Sequence, residues 1–258
     1  MSSYGSNKAV LPFTPMQLVK DDSAGAAIHA FYDSVLQEHC QSDKVKIRQV
    51  VTPEQFSELS RARYRLYGQR KVYYRTLFGD AVDETVCLDE YDTRSYVFAC
   101  YYDGEIIGTQ RFTPFPHESG EYIDHQRLVQ FSGPGYEREC IELSRLIVDK
   151  LAPVGNVVTA LAMTGASLVA LLGGYKTFIT YVKPRLAPKF ESSVFDQDGI
   201  LFKIPERGDH YYAVYKGELL PSVTPYFGLE QCPADLGDID ALMRHTLAAR
   251  ASRQVLAV

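Results

Sequence analysis

The sequence predicts an α/β (α+β) domain of three layers, with a mixed central sheet covered by helices. Three observations lead there. Two runs of β-branched and aromatic residues, 95–102 and 105–113, flank Asp103-Gly104, a two-residue hairpin signal that makes part of the sheet antiparallel. Strand-type and helix-type segments then alternate from Glu139 to Lys183. Apolar residues at helical spacing mark further helices toward both ends. The chain of 258 residues is 46% hydrophobic, enough to bury the core of one large domain or a domain with terminal additions.

Taken in order, residues 1–21 read as a loose tail, and Ile28, Phe31, Val35 and Leu36 line one face of a helix over 23–40. A β-type run covers 45–51. Thr52-Pro53-Glu54-Gln55 starts the next helix: Thr52 is the N-cap, Pro53 lies in the first turn and Gln55 closes a capping box. That helix is expected to reach about Arg70. After the hairpin comes a connection rich in Pro, Gly and His, 114–135, and a strand over 139–148. Asn156 is placed as the cap of an apolar helix closed by Gly173-Gly174. A strand over 175–183, a short helix around 185–195 and strands near 200–204 and 210–216 complete the core. Ile239, Leu242, Met243 and Leu247 predict a C-terminal helix over 234–254. The expected division is 1–44 as N-terminal tail and helix, 45–220 as core and 221–258 as C-terminal helical extension.

Composition excludes several function classes. A net charge of -5 argues against a general nucleic-acid binder. The five cysteines are scattered without a Cys-x-x-Cys pair, which points away from a disulfide framework or zinc ribbon and toward a reducing, cytoplasmic setting. The first residues lack a basic start and a long apolar run, so no signal peptide is expected. Val157 to Leu172 is shorter than the roughly 20 residues of a bilayer span and carries Thr159, Thr164 and Ser167. His117, His125 and His210 are isolated and read as loop or surface residues, and no metal is expected.

Charge is distributed in blocks. Arg61, Arg63, Arg65, Arg70, Lys71 and Arg75 fall in one stretch without an acid. Asp80, Asp83, Glu84, Asp89, Glu90 and Asp92 fall in another without a base. Two solvated faces would produce this pattern, and so would a basic docking surface beside a carboxylate pocket for an amine. Arg63, Tyr67 and Arg70 share a helix face by their spacing. In the strand ECIELSRLIVDK, Ile141 and Leu143 keep one apolar register while Leu146 and Val148 keep the other. One extra residue near Ser144 or Arg145, a β-bulge, reconciles them; the alternative is an ion pair on an edge strand.

Four pieces in order, Arg63-x-x-x-Tyr67-x-x-Arg70-Lys71, Asp89-x-x-Asp92, Gly108-x-x-Arg111 and Glu142-Leu143-Ser144-Arg145, resemble the acyl-homoserine-lactone synthases and their relatives, the N-acyl amino acid synthases. The similarity spans roughly Lys46 to Glu218. It implies a GNAT-like three-layer sandwich and an enzyme that takes long acyl chains from acyl carrier protein or acyl-CoA, with no bound cofactor. By position it implies a polar network of Arg63, Asp89, Asp92 and Arg111, and aromatic walls of Tyr67 and Tyr73 on the acceptor side. It makes Glu142 the catalytic base and Arg145 its electrostatic partner, with amides near Leu143 and Ser144 polarising the thioester carbonyl. Arg70, Lys71 and Arg75 become a docking surface for an acidic carrier protein.

The sequence departs from acetyl-CoA-using GNAT enzymes at 150–156, which lack the glycine-rich pyrophosphate loop; this favours a carrier-protein donor. No Gly-x-Ser-x-Gly elbow marks a covalent nucleophile. Tyrosines at the aromatic positions, the absence of Trp and the terminal additions favour a free amino acid as acceptor. S-adenosylmethionine, giving an acyl-homoserine lactone, is the alternative, and a non-catalytic acyl-carrier-binding module is the reading from another class.

Overall fold

A computed structural model describes residues 16–68, 87–184, 200–205 and 209–256. The helices are α1 (Ser23–Cys40), α2 (Pro53–Gly68), α3 (His125–Ser132), α4 (Val157–Leu171), α5 (Leu219–Val223) and α6 (Ile239–Leu256). The strands are β1 (Val45–Val50), β2 (Tyr96–Tyr102), β3 (Glu105–Thr113), β4 (Cys140–Val148), β5 (Thr177–Val182), β6 (Leu201–Lys203) and β7 (Tyr211–Glu218). They form one mixed sheet in the order β1-β2-β3-β4-β5-β7-β6. Only β4 and β5 pair in parallel, across α4; the other neighbours are antiparallel.

Local chemistry sets these elements. Thr52 Oγ1 accepts the Gln55 N–H at 3.3 Å, while Gln55 Oε1 accepts the N–H groups of Val51 and Thr52 at 2.7 and 3.0 Å. The reciprocal capping box opens α2 where the sequence places it. Asp103 and Gly104 both have positive φ, 52° and 86°, as a two-residue hairpin turn between right-twisted strands requires.

Strand alternation divides the sheet into two faces. On one, Phe98, Phe112 and Ile141 pack with Phe31 and Leu36 of α1 and Leu161 and Val169 of α4 in the main core. Each fully enclosed Leu or Ile there contributes about 1.5–3 kcal/mol over exposure. Helix α4 comes very close to the sheet: a Cβ on Gly165 would run into the edge of the Phe112 ring. The stretch Gly165-Ala166-Ser167 therefore serves packing, and the Ser167 hydroxyl meets Tyr32 Oη of α1 at 2.7 Å. Ile239, Ala241 and Leu242 of α6 join the same core. On the second face, Val97, Ala99 and Ile106 meet Phe56, Leu59 and Ala62 of α2, and farther along Cys140, Ile179 and Val214 meet Leu128 and Tyr136.

Three expectations are corrected. The connection 114–135 contains a 3-10 turn, Glu118–Glu121, and helix α3, whose first N–H groups are capped by Asp124. Asn156 stands at the N-cap of α4, but in the left-handed region with no capping bond; its side chain donates to the His39 carbonyl instead. His117 is buried, not superficial. The short helix expected at 185–195 lies outside the described residues.

Candidate active site

The predicted bulge is in β4. Gly108 and Thr109 of β3 pair with Val148 and Ile147, whereas Arg111 and Phe112 pair with Ser144 and Leu143, so β4 spends one residue more than β3 between the two registers. Arg145 takes up the difference with φ 54°. Leu146 and Val148 thereby join Ile141 and Leu143 against the main core, and Arg145 turns to the second face. The parallel ladder with β5 runs from Cys140↔Thr177 to Leu143↔Thr180 and stops as the bulge begins. β4 is a central strand, which removes the edge-strand ion pair as an explanation.

Arg111 lies beside Val97 in register, and Glu142 beside Ile179, so both project from the second face between its two apolar clusters. Arg111, wholly enclosed, bonds Asp89, Glu118 and the Ser144 hydroxyl, the last at 3.1 Å, and approaches Asp92 at 3.4 Å. Arg145 donates to Asp89 at 2.6 Å and to Glu118 at 3.1 Å. From α2, Arg63 reaches Asp92 at 2.7 Å, with both side chains fully enclosed. The Asp89-x-x-Asp92 spacing forms a tight turn in which Asp92 Oδ2 accepts the Asp89 N–H at 2.9 Å and Asp89 Oδ1 accepts the Tyr91 N–H at 3.0 Å. Burial alone would raise the Asp89 pKa, but Arg145, Arg111 and Arg63 outweigh it and hold the carboxyl well below the usual range.

Glu142 is the exception in this cluster. Asp89, Asp92 and Glu118 each pair with a guanidinium, whereas no ion pair reaches Glu142 among the described residues. Its Oε2 accepts the Ser119 N–H at 2.9 Å and its Oε1 has no hydrogen-bond partner among those residues. Enclosing an unpaired carboxylate costs several kcal/mol. Burial, then the neighbouring Glu118 charge, accordingly push its pKa up to about 7, against the pull of the Ser119 bond and Arg111. The cation acting on Glu142 is thus Arg111, while Arg145, expected as its partner, is engaged with Asp89 and Glu118.

The structure brings together Arg63, Asp89, Asp92, Arg111, Glu142, Ser144 and Arg145. Tyr67, one turn along α2 from Arg63, is buried and close enough for its phenol to act on the Arg145 charge. Arg61 and Arg65 of the same basic run are exposed, Arg65 pairing with Glu105 at 3.2 Å, so there the run is an ordinary solvated face. Tyr73, Arg70, Lys71 and Arg75 lie outside the described residues. Glu118, His117, Ser119 and Tyr136 belong to the site and were not expected. His117 donates its Nε2–H to the Cys140 carbonyl oxygen at 3.2 Å, its ring lies 4.7 Å from Tyr136, and burial lowers its pKa to about 4. The one sequence signal for Glu118 is an acid in a Pro-rich connection leaving the strand that carries Arg111. Among the described residues no cluster of His, Cys, Asp or Glu is arranged to hold a metal, and no helix is long and apolar enough to cross a membrane.

No protein-family model and no curated protein sequence matches the chain. Solved structures do. The AHL synthase LasI is 18% identical, with a TM-score of 0.52 over 70% of this chain and 92% of that one. BjaI, a CoA-dependent acyl-homoserine lactone synthase solved with SAM and isopentyl-CoA, is 15% identical, with a TM-score of 0.53 over 78% and 97%. FeeM, an N-acyl amino acid synthase from uncultured soil microbes, is 13% identical, with a TM-score of 0.50 over 76% and 95%. At these identities the likeness establishes the fold: the chain has the GNAT-like fold of the autoinducer synthase group.

Proposed function

We propose that the chain is an N-acyltransferase that moves a long-chain fatty-acyl group from the phosphopantetheine thioester of acyl carrier protein, or from acyl-CoA, to the amine of a free amino acid. One observation carries this reading. Glu142, an enclosed carboxylate that no ion pair reaches among the described residues and whose pKa burial pushes up to about 7, stands two residues before the bulge of β4. A group that exchanges a proton near neutrality, next to strand amides freed from a regular ladder, is what aminolysis of a thioester needs.

The chemistry follows from these parts. An amino acid arrives mostly as its ammonium, since an α-amine has a pKa of about 8. One proton leaves to solvent on the way to the neutral amine. As the nitrogen attacks the thioester carbon, a C–N bond forms and the carbonyl electron pair moves to oxygen, held by N–H groups near Leu143 and Ser144. Glu142 receives the second nitrogen proton; its full enclosure favours a relay over direct contact. The C–S bond then breaks, sulfur leaves with the electron pair, and the proton on Glu142 passes to it. The Arg63, Arg111 and Arg145 network holds the bulged strand in place during these steps.

Direct transfer also agrees with the thiols. Cys40, Cys87, Cys100 and Cys140 are buried, and burial pushes Cys100 and Cys140 up to about 12, far from the thiolate that a covalent route requires. Support for a carrier-protein donor is the absence of a glycine-rich loop at 150–156 together with the basic run. Support for an amino acid acceptor is the tyrosines at the aromatic positions and the terminal additions.

The test is incubation of the purified protein with long-chain acyl-acyl carrier protein, mixed amino acids and S-adenosylmethionine, read by mass spectrometry. An N-acyl amino acid is the expected product. A lactone would transfer the assignment to the alternative acceptor, and no acylated product from either donor would remove the enzymatic reading.

A further inference from the structure

We propose that Glu118 is a positioning residue: by taking a guanidinium nitrogen from each of Arg111 and Arg145 it keeps both cations off Glu142, leaving that carboxylate as the proton-exchanging group of the site. The proposal deepens the reading above and rests on its assignment of Glu142.

The geometry is a bridge with two arms. Glu118 Oε2 bonds Arg111 of β3, and Oε1 accepts from Arg145 of β4 at 3.1 Å, with only 3% of the Glu118 side chain exposed. The next residue in the same turn supplies the one hydrogen bond that Glu142 accepts among the described residues, from the Ser119 N–H at 2.9 Å. A single 3-10 turn therefore ties down the cations and offers Glu142 a neutral dipole. Sequence position reinforces the point. Arg145 is three residues from Glu142, and the bulge sets both on one face, where a guanidinium would ordinarily swing onto the nearest free carboxylate. It is held instead by Glu118 and Asp89.

The groups facing Glu142 define what such a change would do. Arg111 faces it from β3, Glu118 and His117 from the turn, Tyr136 from the segment before β4, and Cys140 along its own strand. His117 is held neutral by burial, and Tyr136 and Cys140 are uncharged because their own pKa values are raised. Glu118 is thus the negative charge that offsets Arg111 at this carboxylate. Without it, Arg111 Nη2 loses its carboxylate and Arg145 Nη2, which Glu118 shares with Asp89, loses one of its two, so both cations act more strongly on Glu142; an opposite charge within about 4–6 Å lowers a carboxyl pKa by about 1–3 units.

The experiment follows Glu142 directly, by NMR of 13C-labelled glutamate carboxyls, with its signal assigned from its loss in Glu142→Gln. In Glu118→Gln the Glu142 titration midpoint is expected to fall by about 1–3 pH units. The acidic limb of kcat/KM should move down with it, a displacement that a merely structural role would not produce. In the double variant Glu118→Gln, Arg145→Gln the cation that Glu118 held is removed with it, and the midpoint should return toward the wild-type value. The double variant also keeps the buried charge balanced, so it gives a reading even if the single variant folds poorly. A Glu142 midpoint unchanged in Glu118→Gln, or equally lowered in both variants, would overturn the proposal. The two readings fail separately: a protein whose Glu142 titrates as described but which transfers no acyl group loses the enzymatic assignment alone, whereas active enzyme with an unmoved midpoint loses the role of Glu118 alone.

Discussion

Glu142 and Arg145 stand three residues apart on β4 and yet meet the same turn, Glu142 through the Ser119 N–H and Arg145 through the Glu118 carboxylate. In a regular strand they would face opposite sides of the sheet. The left-handed backbone at Arg145 brings them to one side, and the site depends on that single extra residue.

The carboxyls of Glu142 and Asp89 make stability respond to pH in opposite directions. Burial and then Glu118 raise Glu142 from its ordinary 4.5 to about 7, so the folded protein keeps a proton that the unfolded chain gives up. That contribution is complete below the unfolded value and is lost as pH rises through about 7. Asp89 is resisted by burial but held low by its three arginines, so its contribution is present above its ordinary 3.8 and lost as pH falls below it. His117, lowered by burial from 6.5 to about 4, adds stability as pH rises over nearly the same window, so the two offset in the wild type. The melting temperature of wild type relative to Glu142→Gln, which share His117, should therefore fall between about pH 5 and 7. Calorimetry across this range checks it.

Removing Arg111 should be costly. It is wholly enclosed and engages Asp89, Asp92 and Glu118, so Arg111→Leu strips one of two guanidinium partners from each and leaves the buried cluster with excess negative charge. Breaking such a pair from one side costs about 3–5 kcal/mol. Urea unfolding should show that loss; a change below about 1 kcal/mol, no more than an exposed ion pair contributes, would mean that the cluster opens to water.

Gly165→Ala tests the closeness of α4 to the sheet. Propensity alone would make this change stabilising by about 1 kcal/mol in a helix. The added methyl would collide with Phe112 and lie 3.2 Å from Phe98, so overpacking should prevail and lower stability by about 1–3 kcal/mol. Thermal unfolding decides the sign.

Carrier docking is a prediction from sequence. Charge reversal of Arg70 and Lys71 to Glu should raise KM for acyl-acyl carrier protein by at least about tenfold, with a smaller effect on acyl-CoA turnover. Equal KM values for wild type and variant would remove these residues from the docking surface.

Features set by neighbouring residues were readable in advance. The Thr52–Gln55 capping box, the Asp103-Gly104 turn and the phase change that announces the bulge each lie within a few residues. The polar set Arg63, Asp89, Asp92 and Arg111 emerged from family resemblance, since pattern alone left the basic run open between a solvated face and a site. In the structure it is both: Arg61 and Arg65 face water, and Arg63 does not. Glu118 escaped because what defines it is tertiary, a bond across to β4 from a connection that reads as Pro- and Gly-rich loop. Helix α3 was hidden by its brevity, eight residues, although Asp124 carried a cap signal.

The most direct measurement is the single-turnover rate of amide formation from a preformed long-chain acyl-acyl carrier protein complex, wild type against Glu142→Gln, between about pH 5.5 and 8.5. Wild-type rate should rise with pH through about 7 as Glu142 loses its proton. Glu142→Gln should be slower by about 100- to 10,000-fold and lack that rise, while binding the donor normally. A variant as fast as wild type, with the same pH profile, would contradict the assignment of Glu142 as the proton acceptor.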